Sequence, residues 1–169
     1  MGTVVKSYSR LSPTRRGIES STSGTLSLFG KNHDIPPYRQ SHGIDPGNYL
    51  FDRYFEFNIE TYSQYSHWRN NLSTMMGYGN IRDHWNRIDR MIILDSILDE
   101  KENYPFSELL CFPDNMGFIG TECCQKLYQD FIENEKHAIV FMSQDHITIY
   151  YYFKKSFELA SDGGCVLLN

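Results

Sequence analysis

A chain of 169 residues, 40% of them hydrophobic, suffices for one domain that buries roughly two-thirds of its unfolded surface, so folding requires neither disulfides nor a metal. Aromatic residues make up 15% of it, which excludes a disordered chain, and the net charge of −5 argues against nucleic acid as a partner. No apolar run reaches the roughly 18 residues of a membrane span, since even 91-MIILDSIL-98 is broken by Asp95, so no transmembrane segment is expected.

Residues 1–48 carry six basic side chains against three acidic, and the remainder carries 10 against 18. The first segment is rich in Ser, Thr, Gly and Pro, and 20-SSTSGTLS-27 has no apolar period, which predicts an irregular basic N-terminal arm over 1–48 before an α+β domain over 49–169. An N-terminal Met-Gly followed by Lys6, where Ser or Thr is usual, is set aside as a myristoylation signal. Four cysteines (Cys111, Cys123, Cys124, Cys165) without an apolar leader suggest a reducing, cytoplasmic setting.

In 49-YLFDRYFEFNIE-60, Phe51, Arg53, Phe55, Phe57 and Ile59 share one parity, the signature of a half-buried strand. The next segment, 61-TYSQYSHWRNNLSTMMGY-78, predicts an amphipathic helix capped by Thr61 or Ser63, with Tyr65, Trp68, Leu72 and Met75 or Met76 on one face and Gly77 ending it. A second helix is expected over 84–100, interrupted by Asp95. Pro105 and Pro113 cut 103–120 into a turn, a brief extended segment and a loop.

Thr121 is the expected cap of a helix over 122–135 with Cys124, Leu127, Tyr128, Phe131 and Ile132 as its apolar stripe. The stretch 138-AIVFMS-143 reads as β-rich. Through Phe153, 145–160 fits both periods; Asp145 as a cap and Ala160 ahead of 161-SDGG-164 favour a helix, at least from Tyr151 onward, followed by a turn and a short strand over 165–168. The expected fold class is α+β, a single compact domain with a short mixed or antiparallel sheet and three to four helices.

In 112-FPDNMGFIGTECC-124, Asp114, Asn115, Gly117 and Gly120 precede a helix start, and the glycines permit positive φ or close backbone approach to an anion. Thr121 as a cap and Glu122 in the first turn oppose that use and favour a plain connection. Cys124 belongs to the apolar stripe, whereas Cys123 in the first turn is placed for a lowered thiol pKa but needs a base such as His137 or His146 nearby. Tyr62, Tyr65, Trp68 and Arg69 suit a stacking surface for a nucleotide or partner, or else supply core rings and a surface ion pair. Asp162 opens a turn.

Ser63 and His67 sit one helical turn apart without a strained turn to expose a nucleophile. Six scattered histidines and no Cys-x-x-Cys or His-x-x-x-His spacing predict no metal and no cofactor, and no catalytic constellation emerges.

Three patterns together, TYSQYSHWRNNL with Gly77-Tyr78, PFSELLCFPDNMGFIG and SFELASDGGCVLLN, resemble a group of small bacterial and phage-encoded hypothetical proteins over about residues 55–169. The resemblance implies a compact α+β domain in a bacterial or viral cytoplasm and transfers no functional residue. Asn115-Met116-Gly117 stands where an acidic residue or Glu-Gly would follow the loop Asp, which weakens carboxylate-pair chemistry there. The first functional expectation is a non-enzymatic protein that binds another protein, as an immunity, defence or counter-defence factor. The alternative is a small-ligand or nucleotide-binding protein, or hydrolase, using the 113–121 loop with Tyr62, Arg69 and Asp162; a Cys123-dependent enzyme is a third.

Overall fold

The computed structural model describes residues 2–14, 24–28, 44–79, 104–110, 112 and 117–169. Along the chain these form β1 (Thr3–Ser9), β2 (Ser12–Pro13), β3 (Gly24–Leu28), β4 (Gly47–Phe51), β5 (Arg53–Ile59), α1 (Tyr62–Met75), α2 (Ser107–Leu110), β6 (Phe118–Ile119), α3 (Thr121–Glu133), α4 (Glu135–Phe141), α5 (Gln144–Ala160) and β7 (Cys165–Leu168). The architecture is α+β: a four-stranded antiparallel sheet in the order β5-β1-β7-β6, a three-stranded antiparallel sheet in the order β2-β4-β3, and helices packed on one face of the larger sheet. The helix expected over 84–100 lies outside the described residues.

The alternating run 49–60 yields two strands, because the chain bends at Asp52 and changes sheet. Within β5 the predicted parity holds: Phe57 and Ile59 are buried, Phe55 is half-buried, and Tyr54, Glu56 and Asn58 face out. Thr61 caps α1 by accepting from the Gln64 amide at 3.0 Å, and Gly77 ends it with φ 78°, a left-handed conformation. Ser143, not Asp145, caps α5 by accepting from the His146 amide at 3.4 Å. The ambiguous segment 145–160 is helical throughout.

Three expectations are corrected. The irregular arm is interrupted, because Thr3–Ser9 form an inner strand of the larger sheet, paired with β5 at Val5↔Phe57 and with β7 at Val5↔Leu168. Its inward face is Thr3, Val5, Ser7 and Ser9, three of them small hydroxyl residues that carry little hydropathy signal but leave room for α5 to lie close. Leu26 and Leu28 of β3 join Tyr8, Tyr49, Phe118 and Cys165 in a second apolar cluster between the two sheets. Of the β-rich 138–143, Ala138–Phe141 belong to helix α4, where Ala138 and the capping Met142 donate to the Asn134 and Ala138 carbonyls at 2.9 Å each, so local backbone bonds override β-propensity. Gly120, not Thr121, occupies the cap position of α3, because the Thr121 hydroxyl donates to the Gly164 carbonyl at 2.7 Å instead.

That last bond belongs to a tight crossing. The turn after α5 hooks onto the end of β1, with the Arg10 and Leu11 amides donating to the Asp162 and Gly163 carbonyls at 2.8 Å each. A Cβ on Gly164 would stand 1.8 Å from the Tyr8 carbonyl oxygen, a backbone atom that cannot move aside. Gly164→Ala is therefore expected to destabilise the protein by about 3 kcal/mol, read as a drop in the chemical-denaturation midpoint. An unchanged midpoint would contradict this packing.

Candidate interaction surface

The predicted stacking set on α1 divides. Tyr65, Trp68 and Arg69 are buried, and Tyr62 alone of the four is exposed, at 47%. The Trp68 ring stacks on Phe153 at 4.5 Å and its indole N–H donates to the His146 carbonyl at 3.1 Å. The Arg69 guanidinium lies over the Tyr65 ring, 5.4 Å from its centroid, and donates to the Leu110 carbonyl. Arg69, buried, therefore ties α1 to the end of α2. These three residues build the interior by the same aromatic and cationic properties that suggested a binding surface.

Of the 113–121 loop, Asp114 and Asn115 lie outside the described residues. Gly117 has φ 142°, and a Cβ there would approach the Phe112 ring to 3.2 Å, so its glycine is needed for both conformation and space. Gly120 is extended, with φ −78°. The start of α3 does adjoin the Asp162 turn, through the Thr121 bond to Gly164 and through the Gln125 side-chain Nε2, which donates to the Ser161 carbonyl at 3.0 Å. The Asp162 carboxylate, however, is engaged by Arg10 at 2.9 Å and Arg53 at 3.0 Å. Its observed partners are two strand-end guanidiniums.

Cys123 is buried, and burial pushes its thiol well above the ordinary range, with Glu108 adding to the effect. The helix dipole that would lower it is outweighed by desolvation. Cys165, also buried, is pushed up to about 12 by desolvation. Beside Cys123 lies an ionic centre that sequence reasoning missed: Lys126 reaches Glu108 at 2.6 Å, Asp130 at 2.8 Å and the Tyr104 carbonyl at 2.7 Å. Asp130 also accepts from the Phe106 amide at 2.8 Å, and Phe106 carries φ 62°, a strained value for a side chain of that size. Burial raises the Asp130 carboxyl, and Lys126 and the Phe106 amide pull it back. With three acceptors around one ammonium, Lys126 is a clamp between α3 and the 104–110 segment, not a nucleophile. The i,i+4 spacing of Lys126 and Asp130 was its only trace in the sequence.

The exposed apolar area gathers elsewhere. In α4, Ile139, Val140 and Phe141 are 54%, 86% and 44% exposed, and Ile132 in the last turn of α3 is 40% exposed. Ala138 is the one buried residue of α4. Three consecutive helical residues span about 200° of the helix circumference, so they cannot all face one core. The Lys154 ammonium holds the start of α4 through Glu135 at 2.9 Å, and the His137 ring meets Phe141 edge-on at 6.1 Å. Reading 138–143 as a strand hid this surface, which becomes visible once the segment is wound as a helix around Ala138.

Among the described residues no helix is long and apolar enough to cross a membrane, and no group of three or more His, Cys, Asp or Glu side chains is arranged to hold a metal ion. Comparison with family models, curated proteins and solved structures finds no match to the chain.

Two outcomes test the interior assignments. Lys126→Met strands two partly buried carboxylates and is expected to cost about 2–3 kcal/mol, measured by denaturant unfolding. A mild alkylating reagent is expected to label Cys123 only after unfolding, as mapped by peptide mass spectrometry, and rapid labelling of the native protein would contradict its burial.

Proposed function

We propose that this protein is a non-enzymatic, cytoplasmic binding protein that acts on another protein through the outward face of α4. The single observation that carries the reading is the run Ile139-Val140-Phe141, three large apolar side chains left in water on one short helix. Scattered exposed hydrophobics are ordinary, but a contiguous apolar group on a soluble body is characteristic of a contact surface. The groups that chemistry would need are committed elsewhere: Cys123 is enclosed with a raised pKa, Lys126 is saturated by acceptors, and Asp162 is paired with two arginines. The pairing of Asp162 and the burial of Arg69 against the Leu110 carbonyl leave the ligand-loop alternative without support from either. The resemblance to bacterial and phage proteins suggests the setting, an immunity, defence or counter-defence factor whose target is a protein.

The test is a pull-down with Val140→Asp and Ile139→Asp against the wild-type bait. Hot-spot truncations cost more than about 2 kcal/mol of binding, so a partner retained by wild type should be weakened roughly 30-fold or lost. Both side chains are exposed, and the variants should unfold within about 0.5 kcal/mol of wild type. Retention of the partner by both stable variants, or turnover of a small molecule by the isolated protein, would defeat the reading.

A further inference from the structure

His146 stands in the first turn of α5 against α1, within electrostatic reach of His67. The Trp68 indole donates to the His146 carbonyl at 3.1 Å, the Asn71 side-chain nitrogen lies 2.6 Å from His146 Nδ1, and the His146 amide donates to the Ser143 hydroxyl at 3.4 Å. One residue thus joins α1 to the first turn of α5 through its backbone and its ring together. Only Met142 separates the end of α4 from the Ser143 cap, so the same corner fixes the end of α4. His67 stands one helical turn before Asn71, and its Nε2 is enclosed with no hydrogen-bond partner among the described residues.

This arrangement suits a neutral His146 ring. With its proton on Nε2, a neutral imidazole accepts the Asn71 side-chain amide at Nδ1, whereas an imidazolium carries N–H at both nitrogens and has no acceptor to offer. A positive charge at this place also faces the positive end of the α5 dipole. The charged and titratable groups acting on the ring are Asp145 in its own helix turn and His67 from α1, while Glu135 of α4 is already occupied by Lys154. Burial is the largest influence and lowers the His146 pKa, Asp145 opposes it, and His67 reinforces it.

We propose that His146 forms an acid-sensitive latch, which holds the α4–α5 corner against α1 while its ring is neutral and releases it when the ring gains a proton. The inference is independent of what α4 contacts. Because the folded pKa lies below the ordinary 6.5, the unfolded chain binds the proton first. The latch therefore contributes its full stability above pH 6.5, and that stability drains away as the pH falls from there through the folded value.

The experiment follows histidine ring protons and backbone amides of the full chain by NMR from pH 8 to 5. His146 should titrate below 6.5, the amides of Ala138–Phe141 should move with the same midpoint, and His67→Gln should shift that midpoint upward by removing the neighbouring ring, whose influence lowers it. Should His67→Gln fail to fold, Asn71→Asp gives the second arm, because a carboxylate facing Nδ1 should also raise the midpoint. A His146 midpoint at or above 6.5, a midpoint that the folded variant leaves in place, or α4 amides that stay still across the titration would overturn the latch.

Discussion

Phe153 lies where the larger sheet, α1 and α5 meet. Its ring stacks on Trp68 at 4.5 Å, meets Phe57 edge-on at 5.1 Å, and stacks more loosely on Tyr65 at 6.1 Å and Phe157 at 6.2 Å. Such pairs add to the area term of large rings, and the site is sealed from water. Because α5 reaches the sheet through this cluster, the strand parity of β5, the stripe of α1 and the length of α5 are all constrained at one point. The most conspicuous side chains of α1 are thereby committed to the interior.

Around that cluster, polar groups serve attachment. Arg69 fastens α1 to the end of α2, Lys126 fastens α3 to the preceding segment, and Arg10 and Arg53 fasten the turn at Asp162 to the strand ends. The Arg10 and Arg53 pairs are exposed and contribute little each. The Lys126 centre is mostly enclosed, and removing one partner there leaves charges with reduced access to water. The positive φ of Phe106 is held by that centre, since its amide is bound to Asp130 and its ring packs edge-on against Phe131 at 4.8 Å. Strain at this position has a local structural cause and does not require a ligand.

The sequence makes legible those elements whose burial follows a simple period. The inward set of β5, the cap and stop of α1, the stripe of α3 from Cys124 to Phe131 and the turn before β7 all follow from spacing and turn chemistry, whereas Ile132, the last expected member of that stripe, is exposed. The elements that escape it have a common reason. In β1 the inward positions are Thr, Ser and Ser around a single Val, so there is no hydropathy contrast to read, and its pairing partners are about 50 and 160 residues away. In α4 β-branched and aromatic residues imitate a strand, while the decisive fact, that Ala138 alone is buried, is tertiary. The candidate surface was missed with the helix that carries it, and the Lys126 centre was missed because Glu108 and Tyr104 join it from another segment.

Burying a Val, Ile or Phe side chain gains roughly 1.5–3 kcal/mol over leaving it in water, so Ile139, Val140 and Phe141 represent stabilisation that the isolated chain forgoes. Alternative positions for them within the fold are closed. The inward face of α4 is filled at Ala138, and the helix is pinned at its start by Glu135 and Lys154 and at its end by the short passage through Met142 to the Ser143 cap. A helix fixed at both ends cannot roll these residues inward without breaking an ion pair or uncapping α5. Their exposure is a consequence of how the corner is built. An apolar ridge held at both ends has little conformational entropy left to lose on contact, which is the physical basis of the proposed reading of this face.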